Sequence, residues 1–255
     1  MTNIGHISAS SRTDQGQVRE HNEDFVVFRA PINEQDESQN GWLAIVADGV
    51  GGADAGEIAS SFATEKTVQH FLEKSDQKDW GQRLENAISA AHQDLCDLIE
   101  SREGKRRMGT TLVAVIVVGN EAIFANVGDS RAYICRKGRI RQITKDHSLV
   151  VKLLDDGIIT EEEAAKLNIS NIILQSIGSE QPPQVDLYPE SLHSEDIILL
   201  CSDGLNKHIT DDELAQILSE NSPEQASDML IKIANQRGGL DNITVMVLKY
   251  QGSTA

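Results

Sequence analysis

Cysteine is scarce in this 255-residue chain: Cys96, Cys135 and Cys201 are far apart and form no C-x-x-C pair. So odd and scattered a set argues against a disulfide framework and against a zinc site. It suits a reducing cytosol, with each thiol packed as a small apolar side chain. Long apolar runs are missing as well. The longest, such as Leu112–Val118, are strand-sized and far short of a bilayer span. The opening MTNIGHISASSR has no basic segment leading into an apolar core, so it does not read as a secretory signal. Positive charge is in deficit: 23 Lys and Arg stand against 40 Asp and Glu, a formal net charge of −17. A field of that sign repels phosphate backbones and argues against a nucleic-acid partner. No fixed-period repeat and no low-complexity tract interrupts the chain. The expectation is a soluble, cytoplasmic protein without direct membrane insertion, and a monomer.

What is present is a globular composition, 39% hydrophobic and 25% charged. A chain of this length buries roughly three-quarters of its unfolded surface. β-Branched runs predict strands at 25–30, 42–47, 110–118, 121–127, 131–136, 139–143, 196–201 and 243–250. Gly119-Asn120 and Lys137-Gly138 make hairpin turns, and the polar stretch 33–40 (NEQDESQN) reads as a hairpin loop. Apolar spacings of three and four predict helices over 55–72 and 80–99. Thr210 followed by Asp211, Asp212 and Glu213 caps another helix, and Ser222-Pro223 opens one that stops near Gly238-Gly239. The basic cluster 101–107 (SREGKRR) reads as an exposed loop rather than an anion site. Hairpins cluster mid-chain with helices before and after, which points to antiparallel sheets covered by helices, not a doubly wound parallel sheet. The segment 145–183 holds short helical stretches and little strand, as an insertion or flap would.

Three apolar strands run directly into an aspartate. LAIVA (43–47) ends at Asp48-Gly49, IILLCS (197–202) at Asp203-Gly204 and IFANVG (123–128) at Asp129-Ser130. Asp241-Asn242 stands just before ITVMVL (243–248). One Asp-Gly pair at a strand end is ordinary turn chemistry. Several are harder to dismiss, because neighbouring strands would bring the carboxylates to one sheet edge. There they stay ionised only beside a cation, and all-oxygen ligation favours hard ions such as Mg²⁺ or Mn²⁺. The glycine-rich stretch 50–57 allows close backbone approach to a ligand, and a helix starting near Ala55 aims its positive end back at that edge. It lacks the G-x-x-x-x-G-K-[ST] lysine, so a nucleotide P-loop is not supported.

At this point the chain resembles the metal-dependent protein phosphatases, the PPM or type 2C serine/threonine phosphatases. The resemblance spans residues 14–249 and rests on REHNED (19–24), VADGVGG (46–52), MGTT (108–111), VGDSR (127–131), TKDHS (144–148), LCSDGL (200–205) and DNIT (241–244), in the family's order. It implies an α+β fold, a four-layer α-β-β-α sandwich of two antiparallel sheets flanked by helix pairs. The whole of 1–255 would be one catalytic domain, with a flap at about 145–179 shaping substrate access. It implies a bacterial-type, stand-alone protein-serine/threonine phosphatase, a phosphoric monoester hydrolase opposing a serine/threonine kinase. Two tightly bound Mn²⁺ or Mg²⁺ ions and a third, weaker one would serve it, and phosphoserine or phosphothreonine would be hydrolysed by direct attack of a metal-bridging hydroxide. Asp48 would bridge two ions, with Asp203 and Asp241 completing the first site. Glu23 and the carbonyl of Gly49 would support the second, and Asp129, sharing Asp203, the third. Arg19 would bind the substrate phosphate, while Asp24, Thr110 and Asn242 stand behind the ligands.

Two positions depart from the family pattern. Where some members carry a histidine that protonates the leaving alcohol, this chain has Val50, and where many bacterial members place one after the two glycines it has Ala53. The general acid is therefore unassigned, and solvent is the available source. His21 and His147 read as structural residues. Two further readings use the same residues: a phosphatase-like module that binds phosphoproteins without turnover, and a hydrolase of small phosphate esters.

Overall fold

The structure, a computed structural model, describes residues 7–51, 55–102, 108–164, 167 and 172–252. In chain order the elements are β1 (Ile7–Asp14), β2 (Asp24–Arg29), α1 (Glu34–Asn40), β3 (Trp42–Gly51), α2 (Ala55–Glu73) and α3 (Trp80–Ser101). Then come β4 (Met108–Thr110), β5 (Leu112–Val118), β6 (Glu121–Val127), β7 (Arg131–Arg136), β8 (Arg139–Gln142), α4 (Leu149–Asp155) and α5 (Glu161–Ala164). The last are β9 (Asp186–Ser191), β10 (Ile197–Cys201), α6 (Asp203–Asn206), α7 (Asp211–Glu220), α8 (Pro223–Gln236) and β11 (Ile243–Tyr250). One sheet runs β1-β11-β10-β7-β8, the other β2-β3-β5-β6-β9 with β4 against the end of β3. Neighbouring strands are antiparallel in both.

Strand alternation sends successive residues to opposite faces, and here both faces of each sheet are covered. Val113, Val115 and Phe124 of one sheet meet Ile134, Leu200 and Met246 of the other in the central core. Their alternates Leu43, Ile45, Ala114 and Ile116 pack on Ala59 and Ala63 of α2 and Leu84 and Ile88 of α3. On the far side, Tyr133, Leu199 and Val245 pack on Leu214 and Leu218 of α7 and Leu230 of α8. This is why β5 and β10 read as unbroken apolar runs rather than alternating ones. Phe124 is fully buried between the sheets, so Phe124→Ala would cost about 3–5 kcal/mol.

The expected α+β sandwich of two antiparallel sheets with helices is therefore found, and local signals differ from expectation at three places. Residues 34–40 form α1 instead of a hairpin loop. The Asn33 side chain accepts the Asp36 N–H at 2.8 Å, acids fill the first turn, and Gly41 ends the helix at φ 58°. The single strand expected over 110–118 breaks at Thr111, whose N–H turns to the Asp48 carbonyl. Strands β1 and β9 have mixed sequences and went unread. Both are edge strands, where pairing on one side only does not demand an apolar run.

Antiparallel pairing sets the end of one strand beside the start of its neighbour. Asp48 thus lies opposite Asp24 across β3 and β2, and Cys201, just before Asp203, lies opposite Val245, just after Asp241 and Asn242. The expected flap leaves this edge through α4 and α5 and returns where Ile177 exchanges backbone hydrogen bonds with Thr110 at 2.9 and 3.0 Å. Parts of the flap (165–166 and 168–171), of the glycine-rich stretch (52–54, with Ala53) and of the basic cluster (103–107) lie outside the described residues. No helix among the described residues is long and apolar enough to cross a membrane.

Candidate active site

Backbone ties fix the carboxylates before their side chains come into play. The Asp48 N–H donates to Thr111 Oγ1 at 3.0 Å, and the Asp48 carbonyl accepts from the Thr111 N–H and Thr110 Oγ1, both at 2.9 Å. Thr111 Oγ1 is hydrogen-bonded in turn to Ser130 Oγ at 2.7 Å, next to Asp129. Gly128, at φ +108°, turns the chain there, and an added Cβ would meet Thr111 at 2.6 Å. Ser202 Oγ donates to Asp24 Oδ2 at 2.7 Å and accepts the Thr244 N–H at 2.9 Å, so one hydroxyl joins the two sheets beneath Asp203.

The loop between β1 and β2 is held from below. Asn242 Nδ2 donates to the carbonyls of Gln15 and His21 at 2.9 and 2.8 Å, and its Oδ1 accepts the Glu23 N–H at 2.9 Å. The Glu23 carbonyl accepts from Ser60 Oγ at 2.6 Å and from the Gly49 N–H at 3.0 Å. The Gly56 N–H, in the first turn of α2, bonds the Glu23 carboxylate, and a Cβ at Gly56 would stand 2.5 Å from Glu23 Oε1.

Arg19, Glu23, Asp48, Gly49, Asp129, Asp203, Asp241 and Asn242 line one cavity of about 180 Å³, together with Lys207. Asp24 and Thr110 lie behind it. Asp24, Asp129 and Asp203 each keep a buried Oδ1 with no hydrogen-bond partner. A buried, unpartnered carboxylate oxygen is costly, and such atoms are few in folded proteins. Burial, followed by the charges of Asp24 and Asp203, pushes the Asp48 carboxyl well above the ordinary range. Burial and then Asp203 push Asp129 up to about 7. Asp24 is raised chiefly by burial, against the hydrogen bonds of Ser202 and Thr244. Burial also raises Glu23, outweighing Arg19.

Asp241 goes the other way. Burial opposes its charge, but Lys207 and Arg19 outweigh it and hold the carboxyl below its usual range. Arg19 Nε and Nη2 contact Asp241 Oδ1 and Oδ2 at 2.8 and 2.9 Å, and Lys207 Nζ reaches Asp203 Oδ2 at 2.7 Å and Asp241 Oδ2 at 3.0 Å. Among the described residues the acids share the cavity without three of them closing on one point. An all-oxygen donor set with orphaned buried oxygens nonetheless fits a hard divalent cation.

Lys207, Ser202, Thr111 and Ser130 escaped sequence reading. Lys207 carried a usable signal, four residues after Asp203 across a helical turn. The hydroxyls carried none. His147 accepts the Gly128 N–H on Nδ1 at 3.2 Å, so its Nε2 holds the proton and faces Asp186 Oδ2 at 3.1 Å. Its backbone N–H and carbonyl join Gly128 and Leu174. It pins the flap's start beside Asp129, a structural role. Cys201 is fully buried, and burial pushes its thiol up to about 12. Val50 is 46% exposed on the cavity wall and offers no proton.

A family model described as protein phosphatase 2C matches residues 9–150. The serine/threonine phosphatase stp of Listeria monocytogenes is 37% identical over 248 residues, which are 94% of this chain and 95% of that protein. The crystal structure of the serine/threonine phosphatase PstP/Ppp of Mycobacterium tuberculosis superposes with a TM-score of 0.85 at 33% identity, covering 96% of this chain and 99% of that one. The catalytic domain of PstP in complex with two manganese ions superposes with a TM-score of 0.80, also at 33% identity, covering 95% and 97%.

Proposed function

The chain belongs to the protein phosphatase 2C family of serine/threonine protein phosphatases, and on that premise we propose that its phosphatase activity depends on divalent cations held at the carboxylate edge. The observation that carries the proposal is the set of unpartnered buried oxygens on Asp24, Asp129 and Asp203 around a cavity shared with Asp48 and Asp241. Asp48, Asp203 and Asp241 would hold one Mn²⁺ or Mg²⁺; Asp48, Glu23 and the Gly49 carbonyl a second; Asp129 with Asp203 a third, weaker one. The manganese-bound PstP relative supports the first two. Bound there, the cations supply an acidified water as nucleophile and offset charge on the phosphoryl oxygens.

The chain's own residues do the remaining work. Arg19 presents a planar fork at the mouth of the cavity, about half exposed, where it can orient a phosphate by paired hydrogen bonds. Asn242 and Ser60 hold the loop that carries Arg19 and Glu23, so that orientation needs little reorganisation. With valine at position 50, the leaving serine or threonine oxygen takes its proton from solvent. The substrates are phosphoproteins, and the enzyme opposes a serine/threonine kinase. The 255 residues act as one cytoplasmic, monomeric catalytic domain.

The test is phosphate release from a phosphothreonine peptide with and without Mn²⁺, beside Asp48→Asn and Asp203→Asn. Release that needs Mn²⁺ and collapses in both variants supports the reading. A folded, Mn²⁺-loaded wild type that spares phosphopeptides but cleaves an aryl phosphate would redirect it to small esters. One that cleaves neither would make the chain a binding module.

A further inference from the structure

Lys207 lies immediately after α6, and its N–H donates to the Asp203 carbonyl at 3.2 Å. That turn returns its ammonium to the strand ends. Nζ bridges Asp203 Oδ2 and Asp241 Oδ2, carboxylates that open α6 and precede β11 on separate stretches of chain. Arg19 takes Asp241 Oδ1 and shares Asp241 Oδ2 with Lys207. Together the two cations cover three of the four carboxylate oxygens of this pair, and the fourth, Asp203 Oδ1, is buried without a partner. Lys207 is not an ordinary surface ion pair, which solvent screens to little effect. Its side chain is 27% exposed and wedged between acids exposed by 21% and 18%.

Building on the metal reading above, we propose that Lys207 is a tethered counter-ion: it occupies the Asp203–Asp241 oxygens when no metal is there, and an entering cation must displace it. An ammonium and a divalent ion drawn to the same carboxylates repel each other at contact distance. The flexible stem lets the ammonium leave, whereas a carboxylate ligand cannot. Two consequences follow. The metal-free chain keeps its acids partly neutralised and stays folded. Metal affinity is set below what the carboxylates alone would give, by the fraction of time Lys207 leaves them free.

The experiment compares wild type, Lys207→Met, Lys207→Gln and Lys207→Arg by calorimetric titration with Mn²⁺ and by thermal melting in chelator. Methionine keeps the apolar stem, glutamine a polar head without charge, and arginine the charge. Expected are Mn²⁺ binding about tenfold tighter in the Met and Gln variants, a metal-free melting point lower by about 2–4 °C, and values near wild type for Arg. Mn²⁺ affinity unchanged or weaker in both uncharged variants would overturn the proposal, since Lys207 would then support the ligands instead of competing for them. Wild type that is folded yet binds no Mn²⁺ would overturn the metal reading itself, and this proposal with it.

Discussion

Strand β10 carries an aspartate at each end, and the two are treated in opposite ways. Asp196, just before the strand, is fully buried and fully satisfied. Arg136 donates to it through Nε at 2.8 Å and Nη2 at 2.7 Å, and the His193 N–H donates at 2.7 Å. Asp203, just after the strand, has one oxygen on Lys207 and one buried with no partner. It shares a cavity with Asp48, Asp129 and Asp241 rather than standing alone. At Asp196 the protein supplies a matching guanidinium within the fold, and the buried carboxylate serves the fold. Where it gathers several carboxylates and leaves oxygens unpartnered, the charge is left for something from outside. The Asp203 side chain is 21% exposed against 1% for Asp196, but the neighbours set the two ends apart.

The largest effects should come from breaking the reactive end. Asp48→Asn and Asp203→Asn are expected to lower Mn²⁺-dependent release from a phosphothreonine peptide by a hundredfold or more, read as kcat. Their metal-free melting points should hold or rise, because a repulsive charge is removed. Asp196→Ala should do the reverse. It strands Arg136, whose side chain is a third exposed and so partly rescued by water, and about 2–3 kcal/mol of stability should be lost in urea unfolding. Turnover per folded molecule should not change. If it fell as far as in Asp48→Asn, the contrast between the two ends would be wrong.

A pH series sharpens the comparison. Asp129 titrates near 7 in the folded chain and near the ordinary Asp value of about 3.9 when unfolded. The metal-free folded state therefore binds a proton that the unfolded state has released between those values. The stability from this proton is full below the lower value and is lost as pH rises through about 7. In chelator, Asp129→Asn should gain melting temperature over wild type as pH goes from 5 to 8, and saturating Mn²⁺ should cancel or invert that gain. The smallest effect belongs far from either end. Thr210 and Glu213 form the capping box of α7, and Thr210→Ala should cost about 1 kcal/mol by urea unfolding with no kinetic change.

Much of the fold was readable because its signals are local. Apolar runs marked the inner strands, Thr210 and Ser222 marked helix starts, and aspartates following three of those runs marked the edge of interest. The misreadings were local in a different way. Residues 33–40 look like a loop by polarity, yet Asn33 and the acids after it make a capped helix. Strands β1 and β9 look unlike strands because they lie at sheet edges. Ser202 and Thr111 could not be read as part of the site, since each matters only through a residue brought near by strand pairing or by the sandwich itself; the spacing of Lys207 marks its partner Asp203 but not Asp241.

By itself, then, the amino-acid order determined which segments pair and which acids end them, since alternation, capping and turn chemistry act over a few residues. Only the tertiary structure decided that Asp24 stands opposite Asp48, that one serine joins two sheets beneath Asp203, and that Arg19 and Lys207 close on Asp241 across 222 and 34 positions of chain. Electrostatic coupling falls with distance through space and takes no account of separation along the chain, so it exists only once the sheets have packed.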